Sequence, residues 1–378
     1  LFGSLIVKWD IFCSVVDNFG DIGVTWRLAR QLVAEQGAEV RLWVDDLAAF
    51  ARICPAADAS QAQQWQQGVE VCQWSQQWQA VPAADVVIEA FACTLPAAYV
   101  QAMTERARPS LWLNLEYLSA EDWVEGCHGL PSLQSNGLQK FFFFPGFSEG
   151  TGGLLRERSL ITERDALQRN SAAFLASLGV TRTADAQLLS LFAYENAGLT
   201  EWFDALAAAP DSSHLLVPEG RVLGDVQRWL GVQTLAAGDV YERGNLRLQV
   251  LPFILQQDYD RLLWCCDFNA VRGEDSFVRA LWAARPLVWH IYKQADDAHL
   301  EKLQAFLALY QQGLSPAAQV ALSDFWMAWN AGVGIAASWE NLRSVRGELA
   351  QHAEEKALEW ALQPDLASAL VQFYRNWL

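Results

Sequence analysis

Short runs rich in β-branched and aromatic residues alternate along this chain with longer segments of helical period. The first are Trp9 to Val16, then Ile22 to Gln36 with an apolar stripe at Ile22, Trp26, Ala29 and Val33, then Val40 to Val44. Strands at Val86 to Glu89, Leu111 to Leu115 and Phe141 to Phe144, with a helix from Pro96 to about Arg106, extend this into a doubly wound α/β unit. An amphipathic segment, Thr162 to Leu178, leads to Gly179 and the polar stretch Thr181 to Ala186, and the domain boundary is placed there, giving a first domain over residues 1–180. Strands at Leu188 to Phe192, His214 to Val217, Leu246 to Leu251, Phe268 to Val271 and Leu287 to His290 predict a second parallel sheet in a domain over 181–357. From Ala295 onward the pattern is helical. The last helix begins near Glu355, and its residues 358–378 are expected to pack back on the first domain. No solenoid period appears, and the Gln/Trp-rich stretch Gln61 to Gln79 is the nearest thing to low complexity. Two such domains are expected to face a central cleft where the carboxyl ends of the strands gather, the usual place for a ligand.

Composition narrows the partners. Lys and Arg total 27 against 44 Asp and Glu, a net charge of −17, which phosphate backbones and anionic lipid surfaces repel. Neither direct nucleic-acid binding nor membrane association is expected. With 52% apolar and 19% charged residues the chain is built to fold, and its length favours two domains. No uninterrupted apolar run is long enough to span a bilayer; the nearest, at the N-terminus, is broken by Lys8 and Asp10. No basic stretch precedes an apolar one there, and in the absence of an initiator Met the first few residues are expected to be foreign to the native chain. Seven cysteines, an odd number without a CxxC pair and mostly inside apolar runs, indicate reduced thiols and a cytoplasmic protein.

Two strand ends carry candidate chemistry. The first is Val15-Val16-Asp17-Asn18-Phe19-Gly20-Asp21-Ile22-Gly23, where Gly20 and Gly23 permit close backbone approach and Asp17 and Asp21 bring two carboxylates to the ligand-binding end of a βα unit. The GxGxxG spacing is absent, and two carboxylates repel a pyrophosphate, so a cationic or proton-donating substrate fits better. The alternative is that Asp21 caps the helix and Asp17 closes a turn. The second is Arg272-Gly273-Glu274-Asp275-Ser276-Phe277. Backbone amides of Asp275, Ser276 and Phe277, the Ser276 hydroxyl and Arg272 suit a diphosphate, with Glu274 toward a sugar hydroxyl, although a plain helix cap explains the same pattern. Tyr194 and Phe253, each beyond a strand of the second domain, offer aromatic faces for a nucleobase or merely for the core.

Other signals are weaker. Asp258-Tyr259-Asp260 has the DxD form of metal-dependent sugar transferases but precedes Leu262, Leu263 and Trp264, and is taken as a solvated first helical turn. Gly150-Thr151-Gly152-Gly153 lacks the Lys-Ser/Thr of a Walker loop and is taken as a mobile loop at the cleft. The histidines at 128, 214, 290, 299 and 352 show no ligand spacing, so no metal is expected, and Cys265-Cys266 is expected to be buried.

Trp9-Asp10-Ile11-Phe12-Cys13, Val16 to Val24 and Trp26 to Leu32 closely resemble the start of the bacterial protein-arginine rhamnosyltransferases that modify elongation factor P. The resemblance continues in family order through Phe144-Pro145-Gly146-Phe147, Gly152 to Arg156, Leu251-Pro252-Phe253 and Arg272 to Phe277. It implies a GT-B glycosyltransferase of two Rossmann-like domains, without a cofactor. It further implies TDP-β-L-rhamnose as donor substrate, held mainly by the C-terminal domain, and inverting transfer to one arginine of elongation factor P, which activates that factor for polyproline translation. By motif position Asp21 resembles the general base, Asp17 its partner near the acceptor, with Asn18, Phe19 and Gly20 lining that side. Glu274 resembles a residue needed for turnover, while Tyr194, Phe253, Arg272, Asp275 and Ser276 resemble donor-binding positions.

The chemistry agrees with those roles. A guanidinium is charged and a poor nucleophile because its lone pairs are delocalised, so a carboxylate must orient one nitrogen and take its proton as the C–N bond forms. The departing diphosphate needs donors such as Arg272 and the helix amides. Two other readings stay open: a catalytically silent protein that binds elongation factor P and a nucleotide sugar, and an enzyme acting on the free nucleotide sugar such as an epimerase.

Overall fold

A computed structural model describes residues 6–15, 19–75, 78–294 and 297–378. Asp17 and Asn18 lie outside the described residues. The chain divides into two compact units, one of residues 1–158 with 360–378 and the other of residues 159–359.

The first unit runs β1 (Lys8–Cys13), α1 (Gly20–Gln36), β2 (Glu39–Val44), α2 (Leu47–Ile53), β3 (Gln63–Gln66), β4 (Val69–Gln73), β5 (Val86–Ala90), α3 (Ala97–Thr104), β6 (Leu111–Leu115), α4 (Trp123–Cys127), β7 (Pro131–Leu133) and β8 (Gln139–Phe143). Its sheet has the order β3-β4-β2-β1-β5-β6-β8-β7, parallel except where the edge strands β3 and β7 pair antiparallel. β5 and β6 are buried along their whole length, as their near-continuous apolar sequences require of central parallel strands. One face of the sheet packs Ile11, Leu42, Val86, Ile88 and Leu113 against Ile22, Trp26 and Ala29 of α1; the other gathers Phe12, Trp43, Val87, Tyr99 and Trp112.

β1 stops at Cys13, short of the expected Val16, because Ser14 and Val15 turn to donate to the Asp45 carboxylate at 2.5 and 2.9 Å. Within the Gln/Trp-rich stretch, β3 and β4 form a hairpin across Gln67 and Gly68, whose φ values of 50° and 81° suit a tight two-residue turn. Its pattern is obscured because an amide takes an inward position, Gln64 being buried and bonded to the carbonyls of Asp58 and Gln61. The Gly150 to Gly153 segment is a packed turn rather than a mobile loop. The Gly152 amide donates to Phe144 O, and a Cβ on Gly152 meets Phe143 at 2.3 Å.

The second unit runs α5 (Leu160–Arg169), α6 (Ala172–Ser177), β9 (Gln187–Leu191), α7 (Leu199–Ala208), β10 (Ser213–Pro218), α8 (Leu223–Leu230), β11 (Val240–Arg243), β12 (Leu246–Leu251), α9 (Gln256–Cys265), β13 (Phe268–Arg272), α10 (Glu274–Trp282), β14 (Leu287–His290), α11 (Ala298–Tyr310), α12 (Pro316–Ala331), α13 (Ile335–Ser344) and α14 (Arg346–Ala361). Its sheet order is β11-β12-β10-β9-β13-β14, with only β11 antiparallel. The amphipathic segment around 162–178 is two helices, broken at Asn170 and Ser171. These helices belong with the second unit, so the division lies at 158/159 where sequence analysis set 180/181. Arg164 donates to Trp282 O at 2.9 Å, and Gln168 donates to the carbonyls of Trp264 and Ala283.

The C-terminal helical stretch is likewise interrupted. Pro364 cannot continue α14, and Asp365 caps a new helix, α15 (Leu366–Trp377), by accepting from Ser368 N at 3.1 Å. α15 lies on α1 within the first unit: Gln31 of α1 donates to the Asp365 carboxylate at 3.0 Å. α1 is therefore covered on two flanks, which explains why its Arg27 and Gln31 are as buried as its apolar stripe. No helix among the described residues is long and apolar enough to cross a membrane.

Candidate active site

In an open parallel sheet, ligands bind beyond the carboxyl ends of the strands where the strand order reverses. Each unit has one such point, between β1 and β5 in the first and between β9 and β13 in the second.

In the first unit, Phe19 is the residue ahead of α1, Gly20 opens the helix and Asp21 follows in its first turn. Asp21 is 3% exposed. It is not the helix cap: that position belongs to Phe19, which makes no side-chain cap bond. The negative charge in the first turn is nonetheless favoured by the helix dipole. The backbone here is pinned by Thr25, whose hydroxyl donates to Asp21 O at 3.1 Å and is shared with Ile22 O at 3.3 Å. Tyr117, just beyond β6, donates its phenolic O–H to Asp21 Oδ1 at 3.1 Å. Its ring stacks on Phe91, with centroids 4.4 Å apart and planes 15° from parallel. Sequence reasoning did not single out Tyr117 or Phe91. The one local clue is position, since both lie just past the ends of buried strands.

In the second unit β13 delivers Arg272, Gly273 makes the turn with φ +67°, a left-handed value that suits glycine, and α10 starts at Glu274. The turn is anchored from β14, where Trp289 Nε1 donates to Gly273 O at 2.9 Å while its ring stacks on Phe277 at 4.1 Å. Arg272 is 8% exposed, and its Nε is buried without a hydrogen-bond partner among the described residues. Its guanidinium carbon stands 4.7 Å from the ring centre of Phe192 and 4.8 Å from that of Tyr194, so two aromatic rings pack against the charge. Tyr194, beyond β9, is held edge-on by His290 and Tyr292 at 5.2 and 5.8 Å. Burial, helped by the Arg272 and Lys293 charges, pushes the His290 imidazole down to about 4, so the ring is neutral near neutrality.

Glu274, Asp275 and Ser276 are partly exposed in the first turn of α10, and Gly273, the residue ahead of that helix, has no side chain with which to cap it. Its leading amides therefore have no partners within the helix. Gln256, the first residue of α9, donates to Asp275 Oδ2 at 3.3 Å, which draws the loop carrying the half-buried Phe253 toward the start of α10. The structure thus brings Tyr194, Arg272, Glu274, Asp275 and Ser276 together around one strand reversal, with Phe253 joined through Gln256. Phe192 and His290 are members that sequence reasoning missed, because inside apolar strands they read as core.

The discounted motif resolves in two parts. Asp258 is partly exposed and pairs with Arg261, whereas Asp260 is buried and pairs with the equally buried Arg279 at 2.8 Å, so only half of that turn is solvated. Among the described residues no group of three His, Cys, Asp or Glu is placed to hold a metal ion. Five of the seven free cysteines are buried, Cys265 and Cys266 among them.

Comparison with known proteins places the whole chain. Residues 9–375 match the family model described as Elongation-Factor P (EF-P) rhamnosyltransferase EarP. Proteins named protein-arginine rhamnosyltransferase from Pseudomonas putida and Pseudomonas aeruginosa are 62% and 61% identical, over 97% and 99% of this chain and 98% and 100% of theirs. A solved structure concerning EarP-mediated arginine glycosylation of translation elongation factor EF-P superposes with TM-score 0.72 at 47% identity, covering 98% of this chain and 100% of its own. With its two doubly wound units the chain has the GT-B fold. It belongs to the elongation factor P rhamnosyltransferase family and is a protein-arginine glycosyltransferase.

Proposed function

We propose that this chain moves L-rhamnose from TDP-β-L-rhamnose to an arginine side chain of elongation factor P with inversion at the sugar carbon, in the cytoplasm, and so activates that factor for polyproline translation. The observation that carries the donor assignment is the buried Arg272, clasped by aromatic rings beside the first turn of α10 at the strand reversal of the second unit. A diphosphate supplies the anionic oxygens that accept from such a guanidinium and from helix-start amides. Tyr194 and Phe253 are assigned to the nucleoside, Ser276 and Asp275 to the donor, and Glu274 to a sugar hydroxyl whose orientation turnover requires.

Asp21 is assigned the acceptor side as general base. As the bond from the anomeric carbon to the diphosphate oxygen breaks, a guanidinium nitrogen attacks from the opposite face. One N–H proton passes to the Asp21 carboxylate, and the negative charge leaving with TDP is met by Arg272 and the α10 amides. Attack from the opposite face turns the β-configured donor into an α-linked product. Asp17, with Asn18, Phe19 and Gly20, is assigned to hold the planar cation beside that base. No resident metal or cofactor enters this scheme.

The test is to incubate the chain with TDP-β-L-rhamnose and elongation factor P, weigh the acceptor, and read the anomeric configuration of the product by NMR. One deoxyhexose in α-linkage is expected. A β-linkage overturns inversion, and an unmodified acceptor overturns the proposed donor and acceptor pair.

A further inference from the structure

We propose that Tyr117 is the positioning residue of the acceptor half of the site, fixing the plane of the Asp21 carboxylate by occupying Oδ1. The inference rests on the reading of Asp21 as general base and adds a residue to it. A carboxylate that must accept a proton as a bond forms works only when its oxygen is held within about 0.5 Å of its productive position beside the attacking nitrogen. Backbone anchoring by Thr25 fixes where the Asp21 side chain begins but leaves its two side-chain torsions to its neighbours. The phenol 3.1 Å from Oδ1 supplies that restraint, and it reaches Asp21 from 96 residues away in sequence.

Tyr117 is itself held in a way that core packing alone does not require. Its ring lies flat on Phe91, and Phe91 and Ala92 occupy the left-handed region at φ 57° and 55°, which a non-glycine residue adopts at a cost. The bent segment is tied down on both sides. Phe91 N donates to Leu115 O at 2.7 Å, and Ala92 N donates to Asn114 Oδ1 at 3.1 Å. Strain is therefore spent where β5 and β6 end, and its result is a Phe91 ring set as a platform under the phenol that holds Asp21. Three strand ends cooperate: β1 feeds α1 and Asp21, β5 feeds Phe91, and β6 feeds Tyr117.

The test compares Tyr117→Phe, Phe91→Leu and Asp21→Asn with the wild type under steady-state conditions, using TDP-β-L-rhamnose and elongation factor P. Tyr117→Phe keeps the stacked ring and removes only the hydroxyl. Its kcat is expected to fall about tenfold, with both KM values within about twofold of wild type and an unchanged Tm. Phe91→Leu is expected to lower kcat by a smaller factor, since it loosens the platform and leaves the phenol. If Asp21→Asn is inactive while Tyr117→Phe turns over at the wild-type kcat, the positioning role is overturned and the base stands. If Tyr117→Phe raises only the KM for elongation factor P, Tyr117 binds the acceptor and the proposal fails. If Asp21→Asn remains active, the assignment of the base fails first.

Discussion

The guanidinium carbon of Arg272 lies 4.8 Å from the ring centre of Tyr194, and its buried Nε has no hydrogen-bond partner among the described residues. On the proposed reading this cation meets the diphosphate of the donor. Replacing Arg272 with Met, which keeps the packing volume, is expected to weaken TDP binding about 10- to 100-fold, the worth of one or two desolvated charge-assisted hydrogen bonds. Calorimetric titration with TDP checks this, and an unchanged Kd places the diphosphate elsewhere. Phe192→Leu is expected to have a smaller effect, because it removes one of two rings against the guanidinium.

His290 packs edge-on against Tyr194 and stays neutral because burial and the Lys293 and Arg272 charges oppose protonation, with Glu195 acting the other way. Its folded pKa of about 4 lies below the ordinary value near 6.5, so the unfolded chain binds a proton more readily as pH falls. The stability this neutral ring contributes is present above pH 6.5 and is lost as pH drops toward 4. Urea denaturation of wild type and His290→Gln across that window is expected to show a shallower decline for the variant. Parallel declines contradict the assignment.

The two aspartates of the 258–260 turn are expected to part company. Asp258→Ala, at a partly exposed pair with Arg261, is expected to leave stability and transfer near wild type. Asp260→Ala leaves Arg279 buried without its carboxylate and is expected to destabilise by about 3–5 kcal/mol. Transfer is expected to survive a chelator. Loss of transfer in Asp258→Ala, or on chelation, restores this turn as a metal site.

Gly153 has φ +71°, and a Cβ there meets Pro364 O at 2.3 Å, a backbone atom that cannot swing aside. Gly153→Ala is expected to cost about 3 kcal/mol from the strained conformation and the clash together. The damage falls on the chain segment leading into α15, so hydrogen exchange of α15 is expected to rise more than that of β5. Uniform protection across both contradicts this account of the turn.

The elements legible in the sequence are those whose environment is local. Leu111–Leu115 is a strand at the expected residues, because a central parallel strand is apolar throughout and bounded by breaks. The β3-β4 hairpin escaped notice because glutamine fills an inward position and the turn is Gln-Gly rather than Asn-Gly. The cluster around Arg272 was readable as strand, glycine and helix start in one short run. Tyr117 was not, since its meaning comes from a partner 96 residues away across a strand reversal. Phe192 reads as the last apolar residue of a strand, and only the fold sets it against Arg272. Asp10 shows the converse: it looked like an interruption of an apolar run, yet it is buried and bound by Arg41 through two hydrogen bonds of 2.6 Å.

The central claim is that Asp21 accepts the proton of the arginine acceptor while the nucleotide is held mainly by the second unit. The most direct test takes Asp21→Asn, measures TDP affinity by calorimetry, and weighs elongation factor P after incubation with TDP-β-L-rhamnose. Near wild-type affinity with no added deoxyhexose is the predicted result. A rhamnosylated acceptor, or a variant that no longer binds TDP, contradicts it.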